Sequence, residues 1–363
     1  MTDSTEKKGH SKKVLITGAA GFIGHHLVEH IFKNTDWRIV CLDRLDTSGN
    51  LNRLSDLDCW DERKTRMAPP VYHDLAAEIN DGVARLLLLN DKRTDFNLED
   101  VEPFDYIVHL AAGTHVDRSI TDPLGFVRDN VVGTANLLNA IRLFPLLKDD
   151  GKLLYFSTDE VFGPAPEGVL FKEWDSHNPN NPYAAAKSGG EQLAVAFAHT
   201  YKIPTSVIHC MNVFGERQLP EKYVPNTIKK ILAGETVTIH ADKTKTRAGT
   251  RFYLHARNVC DAVLWVLQNG KKLDGSGRQG KYNVVGDREV SNLEMAQLIA
   301  DILGKELKYE MVDFHSSRPG HDLRYGLDGS LIKGEGWTAP VDFEGSMRHT
   351  IEWTLAHKDK WLP

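Results

Sequence analysis

The segment KKVLITGAAGFIG at residues 12–24 decides the fold of this chain. Its first half ends in an apolar, β-branched run that predicts a short strand, and its last glycines open the helical run FIGHHLVEHIF. A strand, a glycine-rich turn and a helix in this order are typical of a dinucleotide-binding βα unit. The glycines allow the backbone to approach a pyrophosphate, which free N–H groups at the helix N-terminus stabilise. We therefore expect Gly18, Gly21 and Gly24 to bind a dinucleotide.

Strand-like runs alternate with amphipathic segments in the residues that follow. The runs at 37–43, 105–111, 152–158 and 205–210 are short and apolar, and the segment 134–144 carries leucine and isoleucine at helical spacing. Such alternation indicates βαβ units. The sequence therefore predicts an α/β fold, a Rossmann-like doubly wound parallel sheet with a smaller C-terminal substrate-binding lobe.

The domain organisation is predicted from where this alternation stops. Past about Asn212 the pattern becomes irregular, with many Gly and Pro residues, although 290–304 predicts a clear late helix. The predicted parts are a flexible tail at 1–11, a dinucleotide-binding domain at 12–211 with a returning segment around 236–268, and a substrate-binding lobe at 212–235 and 269–363.

Composition indicates an ordinary globular enzyme. The chain has 363 residues, 41% hydrophobic and 26% charged, with a net charge of −6, which gives no basic surface for nucleic acid. The N-terminus is polar, and no apolar run reaches membrane-spanning length. The four cysteines are far apart and lack C-x-x-C spacing. We expect a cytoplasmic protein with free thiols and with no nucleic-acid or membrane partner.

Asp43 ends the second predicted strand, about 20 residues beyond the glycine loop. A carboxylate there accepts hydrogen bonds from the adenosine ribose and repels a 2′-phosphate, which favours NAD over NADP. A turn role for Asp43 is the alternative. Asp74 and Leu75 are candidates to flank the adenine, although a simple loop would explain them nearly as well. Further candidate contacts with NAD are Phe22, Ile23 and Ala111.

The same first helix contains His26-Leu-Val-Glu29-His30, which matches the H-x-x-E-H zinc pattern. No third ligand is evident. The helix is expected to pack its apolar face on the sheet, and histidines on such a helix are more often exposed to solvent than bound to a metal. We expect no metal site.

Tyr183 and Lys187 lie one helical turn apart in NPNNPYAAAK. At this spacing the ammonium can sit beneath the phenol. A positive Lys187 and a nicotinamide ring would both lower the pKa of the phenol. Tyr183 could then accept the proton of a substrate hydroxyl during hydride transfer, and Lys187 would also contact the cofactor.

Thr158, Asp159 and Glu160 end the predicted strand KLLYFST. Thr158 stands where a hydroxyl can assist Tyr183. Asp159 and Glu160 are either polar loop residues or an acid/base pair, and an epimerase or a reductase has no need for such a pair. The pair predicts a lyase that uses a redox cofactor as a tool.

The chain resembles the extended short-chain dehydrogenase/reductase family, and within it the nucleotide-sugar 4,6-dehydratases of the dTDP-glucose type. The resemblance is carried by LDRLDTSGNLNRL, AAGTHVDRSITDPLGFVRDNVVGT, STDEVFG, YAAAK, NVFGERQLPEKYVP and RPGHDLRY, which spread over most of the chain. The chain departs from the family pattern at Gly113, in a longer HADKTKTRAGTRFYLHARNV segment and in an expanded 76–104 region.

The resemblance implies a closed hydride cycle. Tyr183, assisted by Thr158 and Lys187, removes the O4 proton while the C4 hydride passes to NAD. Glu160 then takes the C5 proton and protonated Asp159 donates to O6, so that water leaves before hydride returns to C6. The product is a 4-keto-6-deoxy sugar.

The resemblance also implies substrate contacts and an assembly. Asn212 and Lys222 are expected at the sugar–diphosphate, and Arg251 and Arg318 at its phosphates. Asn292 either binds phosphate or caps its helix, and His115 either lies near the sugar or is a packed loop residue. Helices over 125–144 and 184–200 would form the interface of a homodimer.

Three functions compete at this point. The leading one is an NDP-glucose 4,6-dehydratase acting on a dTDP- or UDP-sugar. The nearest alternative is a 4-epimerase or UDP-glucuronate decarboxylase of the same fold. The third, a non-catalytic NAD-binding regulatory module, would have no need for Tyr183, Lys187, Asp159 and Glu160 together.

Overall fold

A computed structural model describes residues 11–46, 48–57, 60, 67, 70–79, 83, 102–275, 278–313 and 322–362. The strands are β1 (Lys13–Thr17), β2 (Arg38–Asp43), β3 (Val71–Tyr72), β4 (Phe104–His109), β5 (Leu147–Thr158), β6 (Thr205–Cys210), β7 (Val213–Phe214), β8 (Val237–Ala241), β9 (Thr250–Arg251), β10 (Leu254–His255), β11 (Lys281–Val284), β12 (Val290–Ser291) and β13 (Tyr309–Asp313). The helices are α1 (Phe22–Asn34), α2 (Leu51–Ser55), α3 (Val116–Thr121), α4 (Pro123–Val127), α5 (Gly133–Leu143), α6 (Pro182–Tyr201), α7 (Tyr223–Ala233), α8 (Ala256–Asn269), α9 (Asn292–Leu303), α10 (Ser330–Gly334), α11 (Phe343–Ala356) and α12 (Lys358–Trp361). A π-helix (Arg128–Val132) joins α4 to α5, and a 3₁₀ turn (Asp159–Phe162) follows β5.

The central sheet has seven strands in the order β11-β6-β5-β4-β1-β2-β3. All its described pairings are parallel. The order runs outward from β1 in both directions, as in a doubly wound sheet with a crevice where the order reverses. The predicted fold class and the five predicted strands are confirmed, with β5 beginning earlier than expected, at Leu147.

Helices cover both faces of the sheet because its strands are apolar on both sides. In β1, Val14 and Ile16 join one buried cluster with residues of α1 and α8, whereas Leu15 joins a second cluster with residues of α5 and α6. Alternate strand residues point to opposite faces, so a continuous apolar run must be buried on both. Each such side chain contributes roughly 1.5–3 kcal/mol on burial.

A smaller lobe follows the central sheet. β8 pairs in parallel with β13, β9 pairs with β12 in the antiparallel sense, and α7, α9 and α11 pack around a third cluster. The predicted late helix is confirmed as α9.

Two segments lie differently from the expected ranges. β8, in the segment predicted to return to the main domain, pairs with β13 in the small lobe. Later residues of that segment, Leu254 of β10 and the apolar face of α8, pack on the central sheet's cluster as expected. β11, expected in the substrate-binding lobe, pairs with β6 at the edge of the central sheet. Which strands pair, when they are far apart in sequence, depends on the topology of the chain, and composition does not reveal topology. The domain division itself stays a prediction.

None of the helices in the described residues is long and apolar enough to cross a lipid bilayer.

Candidate active site

A cavity of about 1070 Å³ opens at the carboxyl ends of the central strands. It runs from the turn after β1, past the ends of β2 and β4, to the ends of β5 and β6. This is the edge at which parallel α/β sheets bind their ligands. All the predicted catalytic and cofactor-binding side chains line it, together with the three loop glycines.

The glycine loop is shaped for close approach of a ligand. Gly18 has a φ of +70°, and a Cβ there would lie 2.8 Å from the backbone nitrogen of Ala111. A Cβ on Gly24 would lie 2.1 Å from the carbonyl oxygen of Gly18. Gly21 is the N-cap of α1 and has no side chain to satisfy the first N–H groups. These N–H groups can therefore bind the phosphates of a dinucleotide.

Asp43 stands at the end of β2, on the same side of the cavity as this loop. Its Oδ2 accepts a hydrogen bond from the N–H of Ala20 (2.9 Å), and its Oδ1 accepts one from the N–H of Leu45 (2.8 Å). Burial raises the pKa of Asp43, while these two backbone hydrogen bonds oppose the shift. The carboxylate is thus fixed in direction beside the glycine loop.

Tyr183 and Lys187 lie on one face of α6, as the spacing predicted. The Lys187 ammonium donates to the carbonyl oxygen of Phe156 (2.5 Å) and lies 4.6 Å from the ring centre of Tyr155. Burial lowers the pKa of Lys187 to about 8, and the charge of Glu191 opposes this shift.

The phenol of Tyr183 corrects one sequence-based expectation. Its pKa is raised, first by burial and then by the negative charge of Glu160, and not lowered as the proximity of Lys187 suggested. The groups of the protein itself therefore favour the neutral phenol. A hydrogen bond between Tyr183 and Thr158 opposes the upward shift of the pKa.

Asp159 and Glu160 begin the 3₁₀ turn after β5. Burial and then the charge of Glu160 raise the pKa of Asp159 to about 7, so this carboxyl can carry a proton near neutral pH. Burial also raises the pKa of Glu160, against hydrogen bonds donated to its Oε2 by Asn181 (3.0 Å) and Tyr325 (3.2 Å). One carboxyl is suited to donate a proton and its neighbour to accept one.

Asn181 and Tyr325 are site residues that sequence reasoning did not single out. Asn181 also caps α6 by accepting the N–H of Ala184 (2.8 Å), and its place just before Pro182 in the NPNNPY run was the available signal. Tyr325 lies in the RPGHDLRY block, but nothing in the sequence connects it to Glu160, 165 positions away.

Comparison with known proteins decides the family. The family described as GDP-mannose 4,6 dehydratase matches residues 15–350. The chain belongs to this family. A dTDP-glucose 4,6-dehydratase of Escherichia coli is 35% identical over 373 residues, which cover 96% of this chain and 95% of the relative. The predicted extended short-chain dehydrogenase/reductase family of nucleotide-sugar 4,6-dehydratases is confirmed.

Solved structures of similar proteins share the fold. A dTDP-glucose 4,6-dehydratase from Streptomyces venezuelae, solved with NAD bound, is 30% identical, with a TM-score of 0.78 over 96% of this chain and 98% of that one. A UDP-glucose 4-epimerase from Thermus thermophilus in complex with NAD is 27% identical, with a TM-score of 0.77 over 94% and 98%.

The substrate-binding candidates of this dehydratase-family chain divide into two groups. His115, Asn212 and Lys222 line the cavity. Of the described candidates, Arg251 and Asn292 do not line it. Arg318 lies outside the described residues.

Arg251 and Asn292 have partners within the protein. The Arg251 guanidinium donates to the carbonyl oxygens of Thr250, Leu323 and Asp322 at 2.7, 2.8 and 2.7 Å. Oδ1 of Asn292 accepts the hydroxyl of Tyr253 at 2.7 Å. The capping role considered for Asn292 is wrong, because Ser291 is the N-cap of α9 and forms a capping box with Glu294.

The histidines of the H-x-x-E-H pattern are engaged in packing. His26 is buried with its Nε2 3.1 Å from the carbonyl oxygen of Glu216, and Nε2 of His30 lies 3.6 Å from Asp261. Within the described residues, His177, Glu191 and His209 lie close enough together to share a cation. The Lys281 ammonium, 2.7 Å from Glu191, already supplies positive charge to that group.

Proposed function

We propose that this chain is a nucleotide-sugar 4,6-dehydratase that converts an NDP-glucose into the 4-keto-6-deoxy product with NAD as a recycled cofactor. The observation that best supports this proposal is that Asp159 and Glu160 lie beside Tyr183 in one cavity, with Asp159 able to hold a proton near neutral pH. Such a pair serves removal of a proton and departure of a hydroxyl from neighbouring carbons.

The residues that would hold NAD fit it. The approach allowed by Gly18 and Gly24 and the open N-terminus of α1 suit the pyrophosphate, and Asp43 suits the adenosine ribose. When bound, the nicotinamide supplies reversible storage of a hydride. The relatives solved with NAD support this assignment.

The side chains of this chain then divide the proton transfers. Tyr183, hydrogen-bonded to Thr158, accepts the proton from O4 of the sugar, and a positive Lys187 stabilises the phenolate that forms. A 4-ketone acidifies the C5–H bond, and Glu160 removes that proton. Asp159 donates its proton to O6, and water leaves. The low exposure of Asp159 keeps bulk water from these groups.

We propose a dTDP-hexose as the substrate, with a UDP-hexose as the second choice. Support comes from curated relatives 34–36% identical to this chain and named dTDP-glucose 4,6-dehydratases. His115, Asn212 and Lys222 are the residues that we assign to the sugar–diphosphate. Lys222 contributes a positive charge to this wall of the cavity.

The test is incubation of the protein with dTDP-glucose, UDP-glucose and GDP-mannose, followed by identification of the sugar product. We expect a 4-keto-6-deoxy sugar from dTDP-glucose. Recovery of only a C4 epimer would show instead that the chain is a 4-epimerase, the activity for which the Thermus thermophilus protein is named. Absence of turnover on every nucleotide sugar would leave a regulatory NAD-binding module and reject the dehydratase.

We also propose a homodimer formed through α4, α5 and α6. These helices and the π-helix between them expose large apolar side chains, namely Leu124, Val127, Val132, Leu143 and Tyr201. Light scattering should give twice the mass of the 40.7 kDa chain. Leu124→Glu should shift the protein towards monomers, whereas an unchanged mass would reject this interface.

A cytoplasmic location is proposed as well. Its support is that Cys41, Cys210 and Cys260 are buried free thiols. Thiol titration of the protein, denatured without reductant, should detect four thiols, one for each cysteine of the sequence. A disulfide-linked product would contradict the proposal.

A further inference from the structure

Arg44 directly follows Asp43 and lines the same cavity. Its two terminal nitrogens form a two-pronged contact with Asp129, Nη1 to Oδ1 at 2.6 Å and Nη2 to Oδ2 at 2.5 Å. Its Nε donates to Asp46 at 2.5 Å, and Asp74 lies 3.5 Å from Nη1. The guanidinium thus faces three carboxylates, and both terminal nitrogens are already engaged.

An arginine in this position has a consequence for the choice of dinucleotide. A free guanidinium near the adenosine ribose accommodates the 2′-phosphate of NADP, and two parallel N–H donors suit a phosphate as well as a carboxylate. The chain therefore places a residue that would favour NADP next to one that favours NAD. Asp129 occupies the two donors that a 2′-phosphate would need.

The backbone that carries Asp129 is unusual. Residues Arg128–Val132 form a π-helix between α4 and α5, and such segments often occur at functional sites. The next residue, Asn130, is fixed by hydrogen bonds in both directions with Gly113, at 2.8 and 3.1 Å. Asp129 is mostly buried, with 19% of its side chain exposed, against 32% for Arg44. The carboxylate is thus held on a fixed support and meets Arg44 across the cavity wall.

We propose that Asp129 is a specificity-determining residue, which selects NAD over NADP by holding Arg44 in a closed ion pair. Asp43 repels the 2′-phosphate, and Asp129 withholds the cation that would attract it. This inference rests on the proposed placement of the adenosine ribose at Asp43.

The test compares the binding of the two dinucleotides. Each variant is equilibrated with equal concentrations of NAD and NADP and desalted, and the released dinucleotides are quantified. Asp43→Asn alone should raise the NADP-to-NAD ratio modestly. Adding Asp129→Asn should raise it at least about tenfold further, because the terminal nitrogens of Arg44 lose their bidentate carboxylate partner and keep only the longer 3.5 Å contact of Nη1 with Asp74, so they can turn to the phosphate. Adding Arg44→Ala to this pair should abolish the further gain.

Two controls separate charge from contact. Asp122→Asn removes a carboxylate that also lines the cavity and is hydrogen-bonded to Gly125, so the ratio should remain unchanged. Asp129→Glu keeps the charge and should retain the preference for NAD. Melting temperatures show whether each variant is folded. Asp129→Asn alone, with Asp43 intact, should still raise the NADP-to-NAD ratio.

Two results would reject the proposed role of Asp129. If Asp129→Asn weakens both dinucleotides equally, the ion pair only holds the cavity wall together and the proposal is wrong. A ratio that rises equally with Asp122→Asn would indicate general charge and reject it too. Because the measurement is of binding, loss of sugar dehydration in a variant would bear on the proposed function and not on this inference.

Discussion

The hydroxyl of Thr158 donates a hydrogen bond of 3.0 Å to Oδ1 of Asp159. The other oxygen of this buried carboxyl, Oδ2, has no hydrogen-bond partner among the described residues. A buried polar atom without a partner is unfavourable, and a catalytic role is one of the reasons for which such an atom is retained. The contact links the residue that we propose assists the first proton transfer to the residue that we propose protonates the leaving hydroxyl. A substrate hydroxyl is the partner that we assign to Oδ2.

The first prediction concerns pH. Because the pKa of Asp159 is about 7, the fraction of protonated general acid falls as the pH rises through neutrality. The rate of water loss should therefore decline above about pH 7, by about tenfold for each further pH unit. The measurement is formation of the 4-keto-6-deoxy product between pH 5.5 and 9. A rate that stays constant up to pH 9 would remove Asp159 from the role of acid.

The second prediction concerns stability. The pKa of Asp159 is raised from 3.8 to about 7, first by burial, so the folded state binds more protons than the unfolded state between these values. Stability must then fall as the pH rises through this window, and the loss is complete above about pH 7. Asp159→Asn removes this loss. Its free energy of unfolding should exceed that of the unaltered protein by a few kcal/mol, roughly, at pH 8.

Urea unfolding at pH 4 and pH 8 checks this prediction. The difference between the variant and the unaltered protein should be larger at pH 8 than at pH 4. Asp122→Asn, at an exposed helix cap, is the matched control, because it removes a carboxylate that is not buried, and it should not be more stable than the unaltered protein at pH 8. An equal effect of Asp159→Asn at both values would contradict the raised pKa.

The third prediction concerns Glu191, one turn beyond Lys187 on α6. Its carboxylate accepts hydrogen bonds from Ser157 and Lys281, both at 2.7 Å, and lies 3.1 Å from Nε2 of His209. Burial would raise the pKa of Glu191, but His209, His177 and Lys281 hold it well below its usual value. Glu191→Gln would leave buried positive charge without its partner, which should destabilise the fold by about 3–5 kcal/mol.

Glu191→Asp is the control, because it keeps the charge with a shorter side chain. It should be clearly more stable than Glu191→Gln in urea unfolding. If the two variants unfold at the same urea concentration, the loss is one of packing and the charge of Glu191 is not what stabilises this buried group.

The sequence predicted the parts of the site that lie close together along the chain. Gly18 and Gly24 have a required spacing, and Tyr183 and Lys187 share a helix face through local geometry. The ion pair of Arg44 with Asp129 and the contact of Tyr325 with Glu160 depend on how distant segments meet. Neither has a local signal, just as the π-helix carries none.

Charged residues were the least predictable group for the same reason. Arg251 was expected at a phosphate because the resemblance to the dehydratase family implied it. In the folded protein its guanidinium donates hydrogen bonds to three backbone carbonyl oxygens, which belong to residues 250, 322 and 323. The fold brings the last two of these residues to Arg251 from a distant part of the chain. A residue type indicates what a side chain can bind, whereas the fold decides what it meets.

The fourth prediction concerns oxidation of the sugar. Tyr183→Phe removes the group that accepts the O4 proton, so bound NADH should not form when dTDP-glucose is added. Absorbance at the wavelength of NADH measures this step directly. Tyr155→Phe, a buried tyrosine on β5 next to Lys187, is the control and should still form NADH. NADH formation at the normal rate in Tyr183→Phe would refute its role as base.

The fifth prediction separates elimination from oxidation. If Glu160 serves only to remove the C5 proton, Glu160→Gln should still form NADH and a 4-keto sugar. It should not exchange the C5 proton with solvent, and it should form no dehydrated product. Asp159→Asn should retain C5 exchange but lose O6 slowly. Removing a general acid or base typically slows its own step by about 10²–10⁴-fold and leaves other steps nearly intact.

Deuterium placed at C4 of the sugar tests the complete cycle in the unaltered enzyme. Because the hydride stays on a cofactor that is not released, the label should appear at C6 of the same molecule. Mixing labelled and unlabelled substrate shows whether transfer is intramolecular. Label lost to exchangeable cofactor, or normal dehydration in both the Glu160→Gln and Asp159→Asn variants, would be incompatible with the assigned roles. An oxidation and return of hydride at C4 alone, as in an epimerase, would then explain the site better.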